Sequence, residues 1–375
     1  MSTFLDRVFG RVGLGGVMAL VAPALAVVFA GLVTSVVLLI AGHQPVEAFT
    51  SLVEYGAQPR VLVLIVNLAT TYFLSAVAVA VGFRMNLFNI GVDGQYRLAA
   101  LVAAAVGGAA LVPGPLNIVL VVLVAMLVGA LWASIAAVLK VTRGVSEVIS
   151  TIMLNAIATG LTGWLLTADR LGVLSGNAIG TPPIPGDAHM PGMALIPGTP
   201  MKINGFLVVA IIVGVAYAVL LNRTRFGFNL RATGRSEPAA VASGVNVKRM
   251  VVAAMVISGA SAGLIGMPEL LGSSFEYSLN FPTGLGFTGI AIALLGRNNA
   301  VGMAVGALLW GFLDSSSDAL QLMDISKELV DIMKGVIVLS VIIAYELVHR
   351  YRVVAAQRKV SRELAAPAET EGAAA

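Results

Sequence analysis

The chain has no cysteine, three histidines and only 11% charged residues in 375. Soluble globular chains carry about 25% charged residues, so a water-soluble enzyme, a disordered chain and a nucleic-acid binder are all excluded. Without cysteine there is no disulfide, no thiolate nucleophile and no cysteine-ligated metal. His43, His189 and His349 are scattered too widely to suggest a histidine metal cluster. The dipeptide Gly-Lys is absent as well, and with it the phosphate-cradling loop G-x-x-x-x-G-K-[ST], so this polypeptide is not a P-loop ATPase by itself. What fills the sequence instead is apolar: 58% hydrophobic residues and a mean hydropathy of +0.95.

Ten apolar runs stand out, at 17–41, 61–83, 98–112, 116–139, 148–168, 206–221, 250–271, 285–296, 301–313 and 332–348. About 20 apolar residues cross a bilayer as a helix, so the expected fold is an all-α polytopic membrane protein of about ten transmembrane helices. Some runs are short and rich in glycine, which suits half-spans or re-entrant pieces. The first run exceeds the apolar core of a signal peptide and reads as a span. With the N-terminus inside, 18 of the 23 basic residues fall in cytoplasmic segments, Arg84 and Arg97 among them, and five fall outside. That asymmetry places both termini in the cytoplasm and accounts for the positive net charge without nucleic acid.

The expected organisation is a cytoplasmic segment at 1–16, a permease domain at 17–348 and a largely disordered cytoplasmic tail at 349–375. In the first segment Phe4, Leu5, Val8, Phe9 and Val12 recur at helical spacing opposite Asp6, Arg7 and Arg11, as in an interfacial helix or a frayed terminus. Within the domain, 169–205 is a proline- and glycine-rich outer loop and 222–249 a basic cytoplasmic loop.

Two segments interrupt the apolar pattern, one in each half. The first, 84–95, carries Asn86, Asn89, Asp93 and Gln95 with Gly91 and Gly94; the second, 280–288, carries Pro282, Gly284 and Thr288. Irregular backbone at membrane depth is tolerated where protein or a water-filled path covers it, and paired broken helices point to a binding path. A plain cytoplasmic turn is the simpler reading of the first. Gly284, Gly286 and Gly289 match G-x-G-x-x-G, but they open an apolar run, which favours close helix packing over a dinucleotide site. Gly259 and Gly263, like Gly302 and Gly306, have the small-residue spacing of packed membrane helices. The spans themselves are nearly free of charge, with Glu147, Glu269, Asp314, Asp331 and Lys334 near span ends and Asp93 ambiguous. An ion-coupled carrier of a small polar solute is the competing reading, disfavoured on that ground. In the basic loop, Ser236 suits a helix N-cap, Pro238 its first turn and Gly244 its end, predicting a short helix over 237–243 that docks a partner.

Phe88-Asn-Ile-Gly-Val-Asp-Gly-Gln95, Glu147-Val-Ile-Ser-Thr-Ile-Met-Leu-Asn155, the 231–244 loop and Gly286-Phe-Thr-Gly-Ile-Ala-Ile-Ala-Leu-Leu-Gly-Arg297 occur in that order. Together they resemble permease subunits of bacterial ABC importers, in the superfamily of ribose-type and branched-chain amino acid permeases, and within it the nucleoside and simple-sugar branch. The resemblance covers about 61–348. Asp93 stands where glutamate is commoner, and Pro238 interrupts the coupling pattern E-A-A-x-x-x-G between Glu237 and Ala239. The resemblance implies a transport subunit of the inner membrane, not an enzyme, with no cofactor of its own. Its implied partners are a second homologous permease, a double-domain ABC ATPase that binds the ATP, and an extracytoplasmic substrate-binding protein. The coupling residues would be Arg231, Arg235, Glu237, Ala239, Ala240 and Gly244, and the substrate path would involve Asn86, Asn89, Asp93, Gln95, Asn155 and Thr288. No catalytic or metal-binding residue is expected.

Overall fold

A computed structural model describes residues 28–175 and 178–365. The expected helix at 1–16 and the start of the first run lie outside the described residues. The chain divides into two compact units, residues 51–319 and residues 1–50 with 320–375. The second unit consists of α1 (Val28–Ile40), the start of α2 (Pro45–Gly56) and the long α13 (Lys327–Ala365).

The larger unit is built from α3 (Pro59–Phe83), α4 (Val92–Gly108), α5 (Gly114–Arg143), α6 (Glu147–Leu165), α7 (Phe206–Arg223), α8 (Arg225–Arg235), α9 (Glu237–Ala242), α10 (Val247–Gly263), α11 (Leu285–Leu295) and most of α12 (Ala300–Gln321). Its centre is α3, apolar on all sides and buried without interruption from Ala69 to Gly82. Seventy-two per cent of its most apolar window is buried, against 22% for α5. α5 is peripheral; it ends where Gly144 takes the left-handed conformation at φ 68°, with Lys140 and Arg143 in its last turn. α5 packs on α10 where Gly129 meets Gly259 and Gly263 meets the Ala125 backbone, the small-residue seam expected from the sequence.

Each of the ten apolar runs overlaps a helix, and the protein is all-α and polytopic. By length and composition, six helices among the described residues qualify as spans, or seven if α1 and α2 form one bent span. Runs and helices differ mainly at their ends. α4 starts at Val92, six residues before its apolar run, so Asp93, Gln95 and Arg97 lie inside the helix. α12 continues to Gln321, which puts Asp314 within it and not at a span end. α13 continues to Ala365, past the end of its apolar run at 348. α10 gives way to a turn at Met267–Glu269 and a π-helical turn at Leu270–Ser274. The outer loop, read as irregular, carries two small antiparallel ladders, β1 (Val173–Ser175) with β2 (Ala178–Gly180) and β3 (Gly192–Met193) with β4 (Ile203–Asn204).

Candidate functional site

Between α3 and α4 the chain leaves the helix at 84–91, and nearly every polar group there is taken up by another part of the protein. Asn89 is fully buried. Its amide nitrogen donates to Gln95 Oε1 at 3.0 Å and to Ser258 Oγ at 2.9 Å, while its carbonyl accepts from Gln95 Nε2 and the Gly91 amide. Ser258 in turn donates to the Ala78 carbonyl at 2.7 Å, anchoring the cluster to α3. Asn155, on α6, donates to the Ile90 carbonyl and accepts from the Gly94 amide, both at 2.8 Å. Glu147 accepts from the Phe88 amide at 3.4 Å and pairs with Lys140 at 2.6 Å. The first two sequence motifs are therefore one physical unit: the second supplies the side chains that hold the break in the first.

The fourth motif completes it. Gly284, at φ 81°, turns the chain into α11, and the Gly286 amide donates to Asp93 Oδ1 at 3.3 Å. A β-carbon on Gly286 would come within 2.5 Å of the Asp93 amide nitrogen, so only glycine permits this approach. Ser75, in the middle of α3, donates to the Leu285 carbonyl at 2.7 Å, and Tyr96 donates to the Pro282 carbonyl at 2.8 Å. The N-termini of α4 and α11 thus meet beside the middle of α3, and the Asp93 carboxylate sits where both helix dipoles favour negative charge. Thr288 lies in the first turn of α11.

At the other end of the break, Asn86 adopts φ 55°, a left-handed conformation that asparagine tolerates better than most residues. Its amide donates to the Gly234 carbonyl at 2.7 Å. Gly234 ends near the close of α8, so the break is bonded directly to the basic loop. Arg84 donates to the Asn298 carbonyl through Nη2 at 2.6 Å, and Tyr217 donates to the same carbonyl at 2.8 Å.

That basic loop is a pair of short helices. Thr224 caps α8 by accepting from the Gly227 amide at 3.0 Å, Ser236 caps α9 by accepting from Ala239 at 3.4 Å, and Asn246 caps α10 by accepting from Arg249 at 3.0 Å. α9 closes at Gly244, φ 81° with open space around it. The sequence foresaw Ser236, Pro238 and Gly244 in these roles; it missed α8. Arg235, Glu237, Ala239 and Gly244 are exposed, Arg231 is half-buried, and Ala240 is buried against the body. Phe228 and Val241 are apolar yet 63% and 60% exposed on the same loop.

Of the residues foreseen for the path, Asn86, Asn89, Asp93, Gln95 and Asn155 all gather at the break. Asn89 and Gln95 face each other in the interior and not a cavity. Sequence reasoning left out Glu147, Ser258 and Gly286, whose contacts join residues more than fifty positions apart. It also placed Arg97 in the cytoplasm, whereas Arg97 lies in the second turn of α4 with Nη1 donating to Thr159 at 3.0 Å. The spans are therefore not as charge-free as the sequence suggested.

Comparison with known proteins gives a consistent set of relatives. The family described as branched-chain amino acid transport system / permease component matches residues 61–342. The chain is 33% identical over 339 residues to the guanosine ABC transporter permease protein NupP of Bacillus subtilis, covering 88% of this chain and 94% of NupP. It is 31% identical to the glucose ABC transporter permease protein TsgB13 of Haloferax volcanii, over 88% and 89% of the two chains. It is 28% identical to the nucleoside ABC transporter permease protein NupB of Lactococcus lactis, over 86% and 90%. The same Bacillus and Lactococcus strains each hold a second, weaker match, NupQ and NupC. No solved structure matches the chain.

Proposed function

Because the chain belongs to the branched-chain amino acid transport system permease component family, we propose that it is the membrane-spanning subunit of an ATP-driven importer for a nucleoside or simple sugar. It is a multi-pass membrane transport component and not an enzyme; the cytoplasmic membrane is its place of work. The names of its relatives support the solute class and the ABC mechanism. That two related strains each hold a pair of matching permeases supports a second, homologous permease as partner. A double-domain ATPase on the cytoplasmic side and an extracytoplasmic binding protein complete the assembly we propose.

One observation carries the mechanism: the Asn86 amide on the Gly234 carbonyl. The exposed face of α8 and α9, with Phe228, Val241, Arg235 and Glu237, is the surface offered to the ATPase. Movement of that loop reaches the break at 84–91 through Asn86, and from there the meeting point of α4 and α11, without passing through a flexible linker. In this reading Asn89, Gln95 and Asn155 position the break, while Asp93 and Thr288 lie at the helix ends that open and close the path. Proteoliposomes with the permease pair, ATPase and binding protein test it: uptake of guanosine or glucose should require ATP. Uptake driven by a proton or sodium gradient without the ATPase would select the ion-coupled carrier instead.

A further inference from the structure

Arg97 is charged and partly exposed, on a helix packed against the spans α5 and α6. Thr159, which accepts from its Nη1 at 3.0 Å, is twelve residues along α6 from Glu147, about 18 Å up an axis of about 28 Å. That is near the middle of a hydrocarbon core about 30 Å thick. Asp93 is one turn earlier on the same helix and accepts from the Gly286 amide; the charges of Asp93 and Arg97 act on each other, though among the described residues no close ion pair joins them. The Tyr277 hydroxyl lies beside the guanidinium and beside Thr162. The Nε of Arg97 is buried with no partner.

The face around this cluster is open. Thr159 is exposed, and nothing stands within 4 Å of where β-carbons would sit on Gly160 and Gly163. The exposed face of α6 continues from this cluster into apolar side chains: Ile152 lies two turns before Thr159 on its row, and Ile149, Met153, Ile157 and Trp164 share the row of Gly160, each at least half exposed. Hydrocarbon against a guanidinium costs at least about 2.5–3.5 kcal/mol. A partner subunit or a water-filled path covers this face at lower cost. Arginine stays charged and has five donors and no acceptor, so its free N–H groups select a ligand rich in acceptor oxygens.

We infer that Arg97, with the hydroxyls of Thr159 and Tyr277, contacts the solute midway through the membrane, binding hydroxyl or carbonyl oxygens of a neutral polyhydroxylated molecule between the two permease subunits. The inference rests on the importer reading above. Both are tested in the reconstituted four-component complex with radiolabelled guanosine and glucose as probes. If the wild-type complex imports neither with ATP, the importer reading falls and takes this inference with it. Given wild-type uptake, Arg97→Gln should lower it about tenfold or more, as loss of charged hydrogen bonds implies, while the complex's ATP hydrolysis persists. Arg97→Lys should restore part of the uptake. Wild-type uptake by Arg97→Gln, or a parallel loss of uptake and hydrolysis that Lys does not rescue, would overturn the assignment. Thr159→Cys gives a second readout that leaves Arg97 in place, since the chain has no cysteine of its own. A charged, membrane-impermeant thiol reagent should block its uptake, with wild type under the same reagent as control, and excess solute should slow the reaction. No reaction, or reaction without effect on uptake, would mean that lipid or protein seals this face and the inference is wrong.

Discussion

The break at 84–91 and the loop at 224–247 both turn the chain between helices, but they do it in different solvents. In the loop, water satisfies most of the backbone, and three caps at Thr224, Ser236 and Asn246 define where each helix starts. In the break the groups around Asn89 and Gln95 are shut into the interior. Its polar groups are met by side chains from α4, α6 and α10, drawn from 95 to 258 in sequence. The loop therefore depends on local shape, and the break on long-range hydrogen bonds. An unsatisfied polar group costs far more in the second case.

Substitutions sharpen that contrast, and the largest effect belongs to the break. Asn89→Leu strands Gln95, Ser258 and the Gly91 amide, each worth about 1–3 kcal/mol when left unpaired in the interior. It should lower the thermal midpoint of the purified complex markedly and remove uptake. Gln95→Leu added to it should cost less than it does alone, because its partner is already lost. Additive losses would show that the two side chains are independent and that the clasp is misread. Next comes Gly244→Val in the loop, where a β-branched residue at φ 81° costs about 1–3 kcal/mol of local strain. ATP-dependent uptake should fall sharply while the thermal midpoint barely moves; normal transport would make the loop a mere connector. Asn86→Ala touches both regions, removing one hydrogen bond of about 1 kcal/mol. Uptake per ATP hydrolysed should drop several-fold, and an unchanged ratio would show that the loop and break move independently. Arg235→Ala is the smallest, since an exposed charge contributes about 0–1 kcal/mol, and a modest loss of uptake is expected.

The same division explains what the sequence made legible. Caps are local, so Ser236, Pro238 and Gly244 could be read directly. The apolar runs gave the all-α class because span length is a local property too. Helix starts at membrane depth are not local: α4 begins at Val92 because Asn155 and Gly286 receive its first turn from elsewhere. Counting positive charges put Arg97 with its polar neighbours in a connecting segment, whereas it lies inside α4, bonded to Thr159 of α6. α8 escaped notice because its five basic and polar positions masked Phe228 and Leu230. The path role foreseen for Asn89 and Gln95 came from their place in a broken helix and from the family resemblance; within the chain their side chains hydrogen-bond each other, a pairing the sequence did not disclose.

The buried stretch of α3 from Ala69 to Gly82 also has a consequence in time. Its innermost neighbours at Leu285 and Gly289 are translated some 200 residues later, an interval of about 10–40 s at ordinary rates of synthesis. Until then this helix stands in lipid with Ser75 lacking its eventual acceptor. Lipid tails are as apolar as the protein interior, so no hydrophobic force hurries the later helices into place, and close packing must do so. The small residues of α3 serve both stages, tolerable against lipid while the helix waits and thin enough to admit α11 when it arrives. Assembly at the centre of this protein thus waits on a helix made late in synthesis and closes around one of the first made.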